Sequence, residues 1–494
     1  YATFQPFVLR ATTMEGFTAL APADADPCVR GLVGKTVGPI ELNGLSQCIT
    51  HLYRERGFFL SRAFIPAQEV ADGMLKVSAI EGHIVAIEPT GLDQADADAQ
   101  FAAVLNERPA TLTTFERGLL LLADRYGHRV KASQLVAAPD DPARYTYKLT
   151  VEVTPVTWRL FGDNRGTEAH GPEQAFASVA WNSLFGAPDR VAVSIFTTPT
   201  DTKELVFADI SYARGWGSGA FWTEVGTSLS RTEDGAAVST PVATSDVDRI
   251  YGRVTVPLLR SRAQSLWGGL SFDARRTEEF DPPGAFTSER TRVLRGSLSY
   301  TLVEDANRID LQLEAARGLD VFDASHNGDA SMTRPDARPQ FTKLRVDAAL
   351  LHQVAEGWHL AIFAAGQIAD GALVASEEFG VGGSRFGRGY DYSEIIGDDG
   401  IAGAVEIRWT WPNAFDLFPS LQLYGFADAG RIWNVGYAPG APADADLTSA
   451  GGGIRITPIA GISANIEAAK PLSRDSAAEG DRSTRIFVSL SLGW

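Results

Sequence analysis

The chain has 494 residues, 45% hydrophobic and 10% aromatic, with a mean hydropathy of -0.06, which excludes a disordered polymer and a helical membrane protein. Its net charge of -17 and pI near 4.9 exclude a nucleic-acid partner, because a phosphate-binding surface needs Lys and Arg in excess. No run reaches the roughly 18 apolar residues of a spanning helix, which leaves a soluble protein or a membrane β-barrel, whose strands are too polar for hydropathy to detect.

The chain starts at Tyr1, without an initiator methionine or a charged and apolar leader, as a processed or trimmed chain would. Its only cysteines, Cys28 and Cys48, lie in one short segment. Such a pair reads as a single disulfide formed in an oxidising compartment, closing a loop of about 20 residues and stabilising by roughly 3 kcal/mol. Two buried free thiols are the competing reading. Zinc would need further ligands, and His51 is the only nearby candidate.

Residues 1 to about 155 mix helical and strand periods. In "LSQCITHLYRERGFF", Leu45, Cys48, Ile49, Leu52 and Tyr53 recur on one helical face. "MLKVSAIEGHI" then alternates as a strand. A second round follows in "LTTFERGLLLLADRYG", where Thr113 and Glu116 have capping-box spacing and Phe115, Leu119, Leu122 and Tyr126 share a face. It closes with "YTYKLTVEVT", in which Tyr147, Leu149, Val151 and Val153 alternate with polar residues. Two α+β modules are expected, at residues 1–83 and 84–155.

From residue 156 to 494 the helical period disappears. In "RIDLQLEA", Ile309, Leu311, Leu313 and Ala315 face one way and Arg308, Asp310, Gln312 and Glu314 the other. "RVAVSIF" and "GSLSYTL" repeat the pattern, and "TRIFVSLSLGW" places Ile486, Val488, Leu490, Leu492 and Trp494 on one face. About sixteen such segments occur, at about 21 residues per strand plus connection, which suits tilted membrane strands. A soluble sandwich or propeller is disfavoured by full charges in the middle of strands, as a wet lumen would hold. The expected fold is two α+β modules followed by a 16-stranded antiparallel transmembrane barrel.

Several motifs imitate chemistry without its spacing. "GLVGKTVG" ends like a phosphate loop at Gly34, Lys35 and Thr36, but its first glycine would fall on Val29. The acidic stretches "ADADPC", "DQADADAQ" and "ADADL" lack the calcium-loop pattern. Seven histidines occur without a metal-binding pair around a glutamate, and no serine stands in a nucleophile turn. No catalytic residue, metal, nucleotide or other cofactor is expected.

The segment "GGSRFGRGYDYSE", residues 382 to 394, sets Arg388 between Gly387 and Gly389, next to Tyr390, Asp391 and Glu394. Flanking glycines let the backbone turn freely, so a long loop at about 371–400 could deliver the arginine into the lumen. There it would need a carboxylate. Asp428 in "LYGFADAGRIW" is the candidate, on the polar parity of a strand between Ala427 and Ala429.

Two modules shaped βααββ, a barrel opening near "DNRGTEAHG", "RFGRGY" in a long loop and "FADAG" in a strand together resemble the two-partner secretion transporters. These are the TpsB proteins of the FhaC, ShlB and hemolysin-activator type, in the superfamily of BamA. The resemblance covers nearly the whole chain. It implies two periplasmic POTRA domains and an outer-membrane barrel whose sixth extracellular loop folds inward. The family's VRGY motif maps onto Gly387, Arg388, Gly389 and Tyr390, with Gly387 replacing the usual first residue. Its F-x-D-x-G motif maps onto Phe426, Asp428 and Gly430, and the resemblance implies that Arg388 pairs with Asp428. Only a few residues precede the first POTRA strand, whereas many relatives carry a plug helix there.

The implied activity is capture of an unfolded TpsA-like partner (an adhesin, cytolysin or contact toxin) by the POTRA domains and its passage through a charged, wet lumen. Outer-membrane lipid is the implied surrounding. A BamA- or TamA-like insertase is the alternative, and a passive porin would not need the modules.

Overall fold

In the first module the long helix Pro39–Glu55 buries Leu42, Leu45, Ile49 and Tyr53 against the strand face of Leu75 and Val77. Pro39 opens this helix, and Glu41 caps it by accepting the N–H of Gly38 at 2.7 Å. The sheet places Met74–Ile80 between Ala11–Glu15, in parallel, and Arg62–Phe64, antiparallel. Cys28 and Cys48 form a disulfide that ties the helix Asp26–Arg30 to Pro39–Glu55, with their Cα atoms 5.9 Å apart. The computed structural model describes residues 5–235, 242–281, 284–414, 418–435, 442–459, 461–477 and 479–493. Trp494, expected to close the last strand, lies outside them.

The run "MLKVSAIEGHI" is two strands and not one. Met74–Ile80 belongs to the first sheet and His83–Thr90 to the second. The break is built by Glu81 and Gly82. Glu81 turns back to accept from the N–H groups of Thr18 (2.8 Å) and Ala19 (2.9 Å), the Tyr53 hydroxyl (2.8 Å) and the Thr18 hydroxyl. A Cβ on Gly82 would stand 2.6 Å from the Leu60 carbonyl oxygen, so only glycine passes there. Burial pushes the Glu81 carboxyl up, but its hydrogen bonds outweigh burial and hold it below the ordinary range.

The second module packs the helix Leu112–Ala123 on a sheet ordered His83–Thr90, Arg144–Val153, His128–Ala137. Tyr147, Leu149 and Val151 are the buried alternation of its central strand, joined by Phe101, Val104 and Leu122. The helix begins earlier than the Thr113–Glu116 spacing suggests. Its cap is Thr111, whose hydroxyl accepts the Thr114 N–H at 3.3 Å. Glu107, upstream, holds Thr111 by accepting its N–H and its hydroxyl, both at 2.8 Å.

The chain divides into two units at Thr154 and Pro155. Among the described residues of the second unit, sixteen antiparallel strands form a closed barrel, from Val156–Asp163 to Arg485–Gly493. Closure removes every free edge, the condition for β-structure in lipid. Ile250, Leu270, Leu313, Ile362, Val405 and Ile486 point outward and are exposed. The intervening residues, such as Arg249, Asp273 and Glu314, line the interior. Trp158, Trp181, Trp216, Trp358 and Trp411 are exposed near the end with short turns, where an interfacial aromatic girdle belongs. Long connections crowd the other end, including residues 319–341 and 370–398. Short turns are the periplasmic side of such barrels and long loops the outer side.

Replacing Cys28 and Cys48 with serine should cost the first module about 3 kcal/mol, read as a lower denaturant midpoint, with the heat-dependent gel mobility of the barrel unchanged. Because the folded pKa of Glu81 is depressed, its contribution is complete above the unfolded carboxyl range and is lost as pH falls through the folded value. Hydrogen exchange of residues 5–82 should therefore accelerate on acidification, and Glu81→Gln should flatten that response.

Candidate gating site in the barrel lumen

The 370–398 connection folds into the barrel and pairs Phe379–Val381 with Ile395–Gly397 as a small hairpin. Its Phe379, Val381, Phe386, Tyr390 and Ile395 form an apolar core with Ala365, Ala402, Ala404, Ile432 and Leu447 of the wall. One side of the interior is therefore dry, in contrast to the uniformly wet lumen expected from mid-strand charges. The physical reason is steric: small wall residues let the loop approach closely. A Cβ on Gly430 would fall 2.5 Å from Val381, and one on Gly400 would strike the Phe379 ring.

Further along, Gly387 turns with φ +72, a left-handed conformation that favours glycine. Gly389 lies so close to the strand Ile462–Pro471 that a Cβ would be 2.7 Å from the Pro471 nitrogen. Tyr390, fully buried, sets its hydroxyl 3.2 Å from the carbonyls of both Thr448 and Arg474. The acids beside the arginine point elsewhere. Asp391 pairs with Arg485 at 2.6 Å, and Glu394 accepts the Ala477 N–H at 2.7 Å.

Arg388 is 3% exposed. Its Nη1 donates to Glu406 Oε2 at 2.8 Å, while Nε stands 3.5 Å from Asp428 Oδ2 and Nη1 3.6 Å from Glu467 Oε2. The guanidinium lies 3.9 Å over the Phe426 ring. The expected partner Asp428 is thus adjacent, but the hydrogen-bonded carboxylate is Glu406. Asp428 instead accepts the backbone N–H groups of Gly387 (3.0 Å) and Arg388 (3.3 Å) and the Ser449 hydroxyl. Register explains the division. Asp428 sits opposite Ala404 and Ser449, beneath the loop backbone, whereas Phe426 sits opposite Glu406, so a guanidinium lying over that ring meets Glu406.

The carboxylates belong to a wider network. Glu406 also accepts from Arg408 Nε at 2.6 Å and from Arg455 at 2.6 and 3.2 Å. Glu467 accepts the Tyr424 hydroxyl at 2.7 Å and pairs with Arg165, whose guanidinium covers the Phe487 ring at 3.8 Å. Four arginines and three carboxylates thus share one cluster, in which Arg388 and the three carboxylates are buried and Arg165, Arg408 and Arg455 are half-buried. Removing Arg388 would leave the buried Glu406 without its buried partner, a cost of about 3–5 kcal/mol. Glu406, Glu467 and Arg165 were missed by sequence reasoning. Each lies at lumen parity or just past a strand end, and that parity was the available signal.

Residues 150–456 match the family model described as haemolysin secretion/activation protein ShlB/FhaC/HecB, and residues 7–82 match the POTRA domain, ShlB-type. The outer membrane transporter CdiB of Dickeya dadantii (strain 3937) is 23% identical over 452 residues, 87% of this chain and 76% of that protein. The structure of CdiB from Escherichia coli superposes with a TM-score of 0.78 at 19% identity, covering 100% of this chain and 91% of that one. BamA from Haemophilus ducreyi lacking POTRA domains 1–3 shares the fold more distantly, with a TM-score of 0.56, 10% identity and coverage of 99% and 100%. The chain belongs to the ShlB/FhaC/HecB family, the outer-membrane transporters of two-partner secretion, with its barrel in the outer membrane and its POTRA region in the periplasm.

Proposed function

We propose that this transporter captures an unfolded, TpsA-like partner in the periplasm and passes it through the barrel after the 370–398 loop is released. The observation that carries the reading is a loop packed inside the barrel and held there by ion pairs and small-residue contacts. Arg388, Gly389, Tyr390, Phe426, Asp428 and Gly430 are its gating residues on this reading. Arg388 and Asp428 hold the loop tip by charge and by backbone hydrogen bonds respectively, Gly389 and Gly430 permit the close approach, and Tyr390 and Phe426 supply the hydroxyl anchor and the ring beneath the guanidinium.

Capture would use sheet edges. His128–Ala137 is a ten-residue edge strand bonded on one side to Arg144–Val153, and most of its side chains are exposed or half-buried. An extended segment can add to such an edge through backbone hydrogen bonds with little demand on sequence. Energy would come from folding of the cargo outside, which favours large β-rich proteins such as adhesins, cytolysins or contact toxins.

Arg388→Ala should unseat the loop by about 3 kcal/mol or more and cripple secretion of a co-expressed partner, with barrel assembly retained; normal export by that variant would remove the loop from the mechanism. The exchange Arg388→Asp with Asp428→Arg should fail to rescue, because an aspartate at 388 would face Glu406 and Glu467, and an arginine at 428 cannot accept the loop N–H groups. Glu406→Gln and Gly389→Ala should each expose residues 371–398 to added protease, checked by mapping the cleavage sites in the purified protein.

A further inference from the structure

A second arginine cluster, sharing no residue with the Arg388 network, lies among the long connections. Arg334 belongs to the 319–341 connection and is itself more than nine-tenths buried. Its Nη1 donates to Asp398 Oδ1 at 2.8 Å and Glu378 Oε1 at 2.6 Å, and its Nη2 donates to Asp398 Oδ2 at 3.1 Å. Asp336, two residues on, steadies the same guanidinium through Nε at 2.8 Å.

Asp398 is fully buried and gathers more than the arginine. It accepts the Leu373 N–H at 2.6 Å and the Val435 N–H at 2.8 Å. Leu373 stands at the start of the 370–398 loop and Asp398 at its end, so the two roots of the loop are pinched on one carboxylate. Val435 follows the strand Phe418–Trp433 and brings in a third connection.

An apolar layer lies in the same region. Met332, Ala337 and Phe341 of the 319–341 connection pack with Leu373 and Val374 of the loop, on Val293 and Ala316 of the wall. The Arg338 N–H donates to the Ala372 carbonyl at 2.8 Å. These connections join strands at the long-loop end, the outer mouth. A solvated loop residue has no need of three carboxylates around a buried guanidinium.

We propose that Arg334 is the keystone of a second latch, which closes the outer mouth of the barrel by binding the 319–341 connection to both roots of the inward loop through Glu378 and Asp398. The Arg388 network seats the tip of that loop, and the Arg334 cluster holds its neck. Opening a passage for a polypeptide requires both to part. The latch deepens the transport reading, but its closing role is measurable without any cargo.

The test is single-channel recording of the purified full-length protein in planar bilayers, with heat-dependent gel mobility as the check on assembly. Arg334→Ala should raise the frequency of open events on the order of tenfold, and Arg334→Lys, which keeps the charge but loses the two-pronged contact with Asp398, should fall between it and the parent. Asp329→Asn, on the exposed part of the same 319–341 connection and bonded to His326 rather than to the cluster, should change it little. Unchanged conductance in Arg334→Ala overturns the latch, as does an Asp329→Asn channel that opens as often as Arg334→Ala. Failure of both Arg334 variants to assemble also overturns it, since the cluster would then serve folding and not closure. The expected opening in Arg334→Ala, together with no export of a co-expressed partner by the parent protein, would count against the transport reading alone.

Discussion

A guanidinium taken out of water must meet carboxylates with good geometry, or the side chain goes back to solvent. The loop at residues 370–398 obeys that constraint inside a closed barrel. Arg388 can stay there only because Glu406, Asp428 and Glu467 reach it from three different strands, and because the ring of Phe426 lies beneath it. The glycines around the arginine follow from the same requirement. A backbone that must bring Gly387 and Arg388 within hydrogen-bond reach of Asp428, and Gly389 against Pro471, has no room for a side chain at 387 or 389.

Charge alone would leave a wet loop. The apolar core between the hairpin and the small-residue wall gives the loop a defined seat, so the barrel interior is half packed core and half charged lining. Under the proposed transport mechanism the loop would leave both halves together, as a two-position element rather than a continuously mobile one.

The two α+β modules show a separate economy. Each carries its own core, one around Tyr53 and one around Tyr147. Between them, Glu81 and Gly82 make a break that the hydrophobic alternation does not reveal, because a strand pattern continues across it in both directions. The disulfide supports the first module, whose long helix would otherwise hold its short neighbour by few contacts.

Strand and helix periods along the chain determined the class: two α+β modules, then sixteen alternating segments whose outward residues suit lipid and whose inward residues carry charge. Turn chemistry and composition also determined that Arg388 sits in a long glycine-flanked loop and that an acid at Asp428 faces the lumen, since side-chain parity is a local property of a strand. What local patterns could not decide was which acid binds which arginine. Glu406 and Glu467 reach Arg388 only through the register between strands 18 and 79 residues away in sequence, and register is set by the closed sheet as a whole. The same holds for the apolar seat of the loop and for the meeting of Arg334 with Asp398 across 64 residues. Only closure of the barrel brings those groups together.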